Sequence, residues 1–469
     1  MVMDFFILLR QELVVTIIIF LLLFIKLGKD RSNAFILNLV NILLFLNFAS
    51  GFLCDTYGML FNEMFRNGPL VIFEKNILNL AIWIISMQAY SWLLTHKHVI
   101  EFYLLLLSTL LGMFFMISSG NLLMFYLGLE LSTIPLAAAV NFDLTRKQSS
   151  EGAMKMIISS AFSSALLLMG ISLVYGVTGT ISFTEMSAHL SADPLHVFAF
   201  ILLISAFAFK ISAVPFHLWT ADVYEGAPVA VTAYLSVVSK AAVLFVFVSV
   251  LYTVFKPLLF YWYNMLAILA IATIIIGNLF AIRQDNFKRF LAFSSIAQVG
   301  FILVGITGAS QVGMASVVYF VLIYVFSNLG AFGVVSLISS AAGRENISDY
   351  KGLYTTNPLL TWILTIALFS LAGVPPTAGF FGKFFLLTAG AWRDNYWLII
   401  IAALNMTISF YYYLRVVKAM FMDTNEEPIQ KLSIPGWTKL ALIICVTGII
   451  LTGLLGCVYD FIFSLSSGL

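Results

Sequence analysis

Four charged residues lie in the middle of apolar stretches that are otherwise suited to a lipid environment. They are Glu130, Lys210, Lys240 and Lys383. A charged side chain at the centre of a bilayer costs roughly 2.5–3.5 kcal/mol on insertion scales, so four of them cost on the order of 10 kcal/mol. Membrane proteins retain such groups where they pair with one another, face an aqueous cavity or move charge.

Proton transfer is the chemistry that a carboxylate and amines at this depth can perform. A buried lysine holds its proton more tightly when a carboxylate stands beside it, so approach and withdrawal of Glu130 would switch Lys210. Arginine could not be switched in this way, because it stays protonated. We therefore predict a switchable Glu130–Lys210 pair. The alternative is an ion pair or hydrogen bond that only fixes helix packing.

Lys240, Lys383 and His217 extend the set of candidate proton carriers. Lys240 is accompanied by serines, and Lys383 follows a proline-containing segment. Snorkelling to the headgroups is the alternative for both lysines, although both are too deep in their apolar stretches to reach them easily. His217 titrates in the range needed for a neutral-pH relay, and a hydrogen-bonded packing role is equally consistent with its position.

Further polar residues suggest a supporting role. Two roles are open for Asp222 and Glu225. They line an entry funnel towards the membrane, or they cap and solvate a loop, and we favour the second. Other hydroxyl and amide groups support a hydrated path or, more commonly, bond helix to helix. These residues are Ser294, Ser295, Gln298, Tyr324, Ser327 and Asn328.

The composition predicts the elements that position these residues. The 469 residues are 61% hydrophobic and 10% charged, with a mean hydropathy of +1.03, which indicates an all-α polytopic membrane protein. Apolar windows of roughly 20 residues predict fourteen transmembrane helices. Their expected spans are 8–27, 33–53, 74–94, 99–118, 120–141, 153–177, 195–219, 228–254, 260–282, 289–307, 311–341, 358–392, 396–420 and 437–465. The first is read as a retained helix, because it is too long for a signal peptide.

Prolines predict that helices 7 and 12 are discontinuous. Pro215 follows Lys210, and Pro375 and Pro376 precede Lys383; proline breaks or kinks a helix. The similar segments SAVP at 212–215 and AGVP at 372–375 suggest two five-helix repeats, helices 4–8 and 9–13, of inverted topology. Residues 1–469 then form one domain, made of the N-terminal helices (1–98), the first repeat (99–254), the second repeat (260–420) and the C-terminal helix (437–465).

Loop charge predicts the orientation in the membrane. Of the 24 lysines and arginines, sixteen lie in the loops of one side, five (Lys75 and Arg393 among them) on the other, and three are the intramembrane lysines. The positive-inside rule therefore places both termini on the outer, periplasmic side. The net charge of +2 gives no indication of nucleic-acid binding, because the basic residues are scattered over short loops.

The sequence carries no recognisable redox centre. Cys54, Cys445 and Cys457 lack metal-binding spacing, and only one of the five histidines lies at membrane depth, whereas a b-type haem needs two. No glycine-rich nucleotide loop follows a predicted strand. We therefore expect no cofactor and no metal in this chain.

Three segments carry a resemblance to a known family. FYLGLELSTIPLAAAV, FKISAVPFHLWTADVYEGAPVAVTAYLSVVSKAA and AGVPPTAGFFGKFFLL resemble the antiporter-like membrane subunits of respiratory complex I, in particular the subunit N group, whose mitochondrial counterpart is subunit 2 of NADH dehydrogenase. The resemblance spans helices 4 to 13. The segment PFHLWTADVYEGAP is the most specific, and lysine at 383 argues against the subunit M group.

The resemblance implies a proton-translocating subunit of NADH-quinone oxidoreductase. It gives Glu130 and Lys210 the role of a coupled pair, His217 and Lys240 that of a central relay, and Lys383 that of the exit. It further implies that NADH, FMN, iron–sulfur clusters and quinone are bound by partner subunits, with subunits K and M as neighbours. The expected location is the bacterial inner membrane, with the mitochondrial inner membrane less favoured.

Two alternatives to this function stay open. One is a subunit of a multisubunit sodium/proton antiporter without redox partners. The other is a helix bundle whose ion pairs only fix packing.

Overall fold

The computed structural model describes residues 2–53, 56–391 and 396–468, so Cys54 and Arg393 lie outside the described residues. Within this part of the chain, 12 helices are long and apolar enough to cross a membrane. The all-α polytopic fold is thereby confirmed. The number of fourteen transmembrane helices and the domain boundaries remain predictions.

The N-terminal elements include a hairpin that hydropathy did not predict. They are α1 (Val2–Leu8), α2 (Arg10–Leu27), α3 (Asn33–Ser50), β1 (Gly58–Leu60), β2 (Phe65–Asn67), α4 (Pro69–Gln88) and α5 (Tyr90–Leu94). The strands pair antiparallel with Met59 opposite Arg66. Helix α4 begins at Pro69 rather than at residue 74, because proline is suited to the first helical position.

The middle of the chain contains the first predicted helix break. Its helices are α6 (Val99–Ile117), α7 (Leu122–Val140), α8 (Lys147–Thr178), α9 (Phe183–His189), α10 (Pro194–Ile211), α11 (Leu218–Gly226), α12 (Val229–Tyr234) and α13 (Lys240–Thr253). Predicted helix 7 is divided into α10 and α11. A π-helical turn, Leu235–Ser239, separates α12 from α13 within predicted helix 8.

The last part of the chain contains the second break. Its helices are α14 (Leu259–Ile282), α15 (Phe287–Ile306), α16 (Gln311–Ala342), α17 (Leu353–Thr356), α18 (Pro358–Ala372), α19 (Ala378–Ala391), α20 (Tyr396–Met422), α21 (Gly436–Leu454) and α22 (Cys457–Leu465). Short 3-10 turns occupy Lys256–Leu258, Ile347–Tyr350 and Ser466–Gly468. The predicted final helix is divided between α21 and α22.

Polar side chains cap several of these helices. The N-terminal N–H groups of a helix have no partner within it. Asn121 accepts a hydrogen bond from the backbone N–H of Met124 at the start of α7, and Ser310 accepts one from Gly313 at the start of α16. Both capping residues have extended backbone, as N-cap residues do.

Helix α16 lies at the centre of the bundle, and the other most buried helices surround it. The apolar windows of α15 and of the α12–α13 segment are almost as fully buried as that of α16. Helix α16 contacts α12, α13, α15, α18 and α19. These are the helices that carry Lys240, Lys383 and the polar residues of predicted helices 10 and 11.

Both broken helices end in the same backbone motif. Ser212 after α10 and Gly373 after α18 have left-handed backbone, with φ of 64° and 88°. The next residue in each case, Ala213 or Val374, donates its N–H to a carbonyl five residues earlier. This is a Schellman motif, which normally uses glycine at the left-handed position. The shared geometry pairs Ser212 with Gly373, one residue out of step with the SAVP and AGVP alignment.

Candidate functional site

Glu130 and Lys210 lie on neighbouring helices and are held apart by separate hydrogen bonds. The Glu130 carboxylate of α7 accepts a short hydrogen bond from Ser164 of α8. Lys210, in the last turn of α10, donates from Nζ to Oγ1 of Thr133 at 2.9 Å. Thr133 is one turn beyond Glu130 on α7, and the two charged groups are more than 4.0 Å apart. The two groups therefore form no direct ion pair in this arrangement, and the switchable pair stays a prediction.

Lys240 is the first residue of α13, directly after the π-helical turn. Its side chain is 3% exposed, and Nζ donates to Oγ of Ser295 on α15 at 2.7 Å. Nζ also lies 5.4 Å from the centre of the Tyr224 ring. Among the described residues no carboxylate lies within 4.0 Å of this ammonium group. The amine is therefore buried against a hydroxyl and an aromatic face, without a counter-charge.

Lys383 on α19 is held by the carbonyls that the second helix break sets free. Its side chain is fully buried, and Nζ donates to the carbonyl oxygens of Leu371 at 2.8 Å and Ala372 at 3.1 Å. These carbonyls end α18, where they lack helical partners and carry the negative end of the helix dipole. The ring of Phe301 lies 4.8 Å from Nζ. The helix break predicted from the prolines therefore provides the carbonyl acceptors that bind Lys383.

Gln298 of α15 connects this carbonyl to a tyrosine of α20. Its Nε2 donates to the carbonyl of Leu371 at 2.9 Å, the same oxygen that accepts from Lys383, and to the Tyr413 hydroxyl at 3.2 Å. Tyr413 also bonds Ser294. Sequence reasoning missed Tyr413, because its aromatic neighbours in FYYYL carry no signal that separates it from packing residues.

Residues of the π-helical turn and α16 form a second polar branch. Ser236 bonds the Tyr324 hydroxyl at 3.0 Å and accepts from Asn328 at 2.7 Å. Ser327 bonds Ser370 of α18 at 2.7 Å. The polar residues predicted in helices 10 and 11 thus bond one helix to another, and they lie on the helices that separate Lys240 from Lys383.

His217 lies in the first break, between α10 and α11, and is 8% exposed. Within the described part of the chain its Nδ1 has no hydrogen-bond partner. The structure does not bring it into hydrogen-bonding contact with Lys210 or Lys240. A buried imidazole nitrogen without a partner has free capacity to accept a proton or a water molecule.

Asp222 and Glu225 of α11 form ion pairs rather than a simple cap. Asp222 contacts Lys155 of α8 at 2.6 Å and Arg289 of α15 at 2.7 Å, and Glu225 contacts Arg289 at 2.7 Å. All of these side chains are partly exposed. The short helix after the first break is thus bound electrostatically to both of its neighbours.

A buried ion pair near the start of α4 was not predicted. Lys75 and Glu12 of α2 lie 2.6 Å apart, with 0% and 3% of their side chains exposed. Loop charge assigns Lys75 to the outer side, but this lysine lies inside α4 beneath the hairpin, with Nζ 4.9 Å from the ring of Phe65. Glu74 is also buried, and its Oε1 has no partner within the described residues.

Glu345, in the loop after α16, lies close to basic residues of two other segments. Lys288 of α15 lies at 3.3 Å, Arg146 at 3.5 Å, and Ser339 donates a hydrogen bond of 2.9 Å. Burial on its own raises the pKa of Glu345, but the nearby positive charges and the hydrogen bonds outweigh it and hold the pKa below the ordinary value.

The described residues contain no group of three or more histidine, cysteine, aspartate and glutamate side chains that could bind a metal ion. Cys445 is buried and Cys457 exposed, and neither forms a disulfide.

Known proteins resemble this chain in sequence and in fold. Residues 119–410 match the family model described as NADH:quinone oxidoreductase/Mrp antiporter, transmembrane. The chain is 47% identical to the NADH-quinone oxidoreductase subunit N of Phocaeicola vulgatus over 406 residues, 86% of each protein.

Two solved structures are similar over almost the whole chain. A chain of respiratory complex I from Thermus thermophilus is 27% identical, with 96% of this chain and 98% of that chain covered and a TM-score of 0.84. A chain of the Mrp complex from a Dietzia species is 18% identical, with 100% and 98% covered and a TM-score of 0.88. At that identity the second likeness concerns the fold alone.

Proposed function

This chain belongs to the NADH:quinone oxidoreductase/Mrp antiporter family, and from that premise we propose that its buried lysines carry protons across the membrane. The chain is a proton-translocating membrane subunit of an NADH-quinone oxidoreductase, the complex to which its 47% identical relative belongs. The individual residue roles below are our proposal.

The observation that carries the proposal is the environment of Lys240 and Lys383. Both amines are buried with no carboxylate of the described residues within 4.0 Å, and the acceptors that bind them there are uncharged. An ammonium group in such a place is costly to keep charged, so a lysine there is suited to gaining and losing a proton. A purely structural bundle has no need of uncompensated amines at its centre.

The proton path begins at Glu130 in this proposal. Glu130 and Lys210 each hold a hydroxyl partner, so a small movement of α7 against α10 brings the carboxylate towards the amine and binds the proton at Lys210. Withdrawal of Glu130 releases that proton inwards. His217 then passes the proton to Lys240 through water.

The second half of the path runs along α15. Lys240 is bound to Ser295, and the neighbouring residue Ser294 begins the bonded series that leads through Tyr413 and Gln298 to the Leu371 carbonyl. Lys383 binds the same carbonyl. The proton leaves from Lys383 to the outer side.

The chain works as one membrane-arm subunit of a multisubunit complex in a bacterial-type inner membrane. We propose subunits K and M as its neighbours and a periplasmic location for both termini. NADH, FMN, iron–sulfur clusters and quinone are assigned to the partner subunits, where the redox chemistry takes place.

The test is a Lys240→Met variant in the assembled complex, reconstituted in vesicles. Removal of the central amine is expected to lower proton pumping at least about tenfold, which corresponds to about 1.4 kcal/mol of barrier. Lys256→Met, at an exposed lysine beyond α13, serves as the control and should pump normally. Electron transfer and proton transfer are both measured, with assembly checked on native gels. An assembled Lys240→Met complex that pumps at the normal rate contradicts the proposal.

Co-purification separates this function from that of an antiporter subunit. Purification through a tag on this chain is expected to yield NADH:quinone reductase activity. A complex made only of membrane subunits, without that activity, would instead support the antiporter function.

A further inference from the structure

Glu74 is a buried acidic residue that the proton path proposed above does not use. It lies in the second turn of α4 and is 1% exposed. Its Oε1 is buried without a hydrogen-bond partner among the described residues, and no basic side chain of those residues lies within 4.0 Å of the carboxyl group. An isolated carboxylate is costly to bury, and such a group is neutralised by taking up a proton.

The neighbouring lysine is already paired with another carboxylate. Nζ of Lys75 lies 2.6 Å from Glu12 of α2 and 4.9 Å from the centre of the Phe65 ring. Consecutive residues of an α-helix point about 100° apart, so Lys75 and Glu74 face different neighbours. The charge of Lys75 is balanced by Glu12, and an ionised Glu74 would add a buried negative charge that nothing compensates.

The side of α4 that carries Glu74 faces the centre of the bundle. Gln88 lies fourteen residues later, and the two residues are within about 40° of each other around the helix. Gln88 donates to the carbonyl of Leu329 in α16. No cation on the elements that contact α4 lies within 4.0 Å of the Glu74 carboxyl group. Besides Lys75, the charged residues of those elements in the described chain are Arg10, Glu12, Glu63, Arg66, Glu101, Lys240, Lys439 and Asp460.

A small polar cavity lies at the hairpin end of α4. Arg10, Gln11, Asn67 and Ile72 line it, and its volume of about 10 Å³ is close to the room that one water molecule needs. Nε and Nη1 of Arg10 and Nε2 of Gln11 are buried and have no partner within the described part of the chain. Oδ1 of Asn67 accepts a hydrogen bond of 3.4 Å from Nζ of Lys75. The cavity therefore offers hydrogen-bonding groups to water at the charged end of α4.

We propose that Glu74 is a second proton-binding site of this chain, which holds a proton on its carboxyl group and exchanges it with water at the hairpin end of the bundle. Glu12 and Lys75 stay charged as a pair beside it. The site does not rest on the proton path proposed above, because none of the residues of that path lies on α2 or α4.

Infrared spectroscopy of the purified complex tests the proposal. A protonated carboxyl group has a C=O stretching band that is separate from the bands of ionised carboxylates and of amides. We expect Glu74→Gln to remove one carboxyl equivalent per chain from this band. Glutamine has nearly the shape of a protonated glutamate, so the variant should assemble, which native gels check. Glu101→Gln is the control, since Glu101 is a partly exposed carboxylate paired with Lys26, and it should leave the band unchanged.

Transfer to heavy water tests the exchange with the aqueous phase. The band that Glu74→Gln removes is expected to shift to lower frequency as deuterium replaces the proton. An unchanged band in Glu74→Gln would overturn the proposal, because Glu74 would then be ionised. An equal loss in Glu101→Gln would also overturn it, because the loss would not be specific to Glu74. A band that does not shift in heavy water would overturn the exchange with water.

Discussion

At the scale of single residues, Lys240 and Lys383 are buried to a similar degree but bound by different acceptors. Lys240 has a serine hydroxyl and an aromatic ring, both on other helices. Lys383 has two backbone carbonyls at the end of the preceding helix. The Ser295 hydroxyl accepts from Lys240 and donates its own proton to the Ala292 carbonyl. Backbone carbonyls only accept, so Lys383 is the donor in both of its hydrogen bonds.

Glu345 allows a pH-dependent prediction outside the membrane. Its pKa is lowered in the folded chain, so it contributes stability above its unfolded pKa, and this stability is lost as the pH falls through the folded pKa. Protonation would also leave Lys288, which is fully buried, without its counter-charge. Thermal unfolding in detergent from about pH 7 to about pH 3 should show a steeper loss for the natural chain than for Glu345→Gln. Parallel curves for both proteins would contradict this assignment.

At the scale of the secondary-structure elements, the helix breaks determine where charge can be held. The Schellman motif after α18 directs its terminal carbonyls towards α19, where Lys383 donates to them. After α10, the Phe209 carbonyl accepts both the backbone N–H of Ser212 and the indole N–H of Trp219. The two breaks share a backbone motif, but an amine binds at the second break and an indole at the first.

Gly373→Ala tests the coupling between the second break and Lys383. A side chain at φ 88° is strained by roughly 1–2 kcal/mol, and its Cβ would lie 3.2 Å from Cδ of Lys383. We expect lower stability and, in addition, slower proton pumping, because the ammonium group is displaced from its carbonyls. Both quantities are measured in the assembled complex.

Gly343→Ala is the matched control for this prediction. Gly343 ends α16 with φ 65°, but nothing lies within 4 Å of an added Cβ. This variant should show the backbone cost and normal pumping. Equal pumping by the two variants would contradict the proposed coupling.

At the scale of the whole molecule, the buried Glu12–Lys75 pair joins the N-terminal helices to each other beneath the hairpin. Helix α4, which carries Lys75, also packs against α16 and α12. The pair therefore connects α2 to a helix that packs against the centre of the bundle. Removal of one partner would leave the other charge buried and uncompensated.

Lys75→Met is predicted to destabilise the chain by about 3–5 kcal/mol, because it leaves Glu12 without a partner. The double variant Lys75→Met with Glu12→Leu should recover most of that loss. Lys26→Met is the control, since Lys26 and Glu101 form an exposed pair at the same 2.6 Å distance. Exposed pairs contribute about 0–1 kcal/mol. Thermal unfolding in detergent measures all three; equal effects of Lys75→Met and Lys26→Met would rule out the special role of the buried pair.

Local properties of the chain determined much of this protein. Hydropathy over about 20 residues predicted the membrane fold, the prolines predicted both broken helices, and the positions of Glu130, Lys210, Lys240 and Lys383 marked the candidate path. Each of these inferences depends on a residue and its near neighbours in sequence, which one chain displays directly.

Contacts between distant segments were decided by the tertiary structure alone. Ser295 as the partner of Lys240, Tyr413 as part of the polar series and Lys75 as a buried ion-pair partner all depend on helices that are far apart in the sequence. No local pattern distinguishes Tyr413 from its aromatic neighbours, or Lys75 from a loop lysine. The physical reason is that a polar group buried in lipid takes its partner from whichever helix packs beside it, and packing is a property of the assembled bundle.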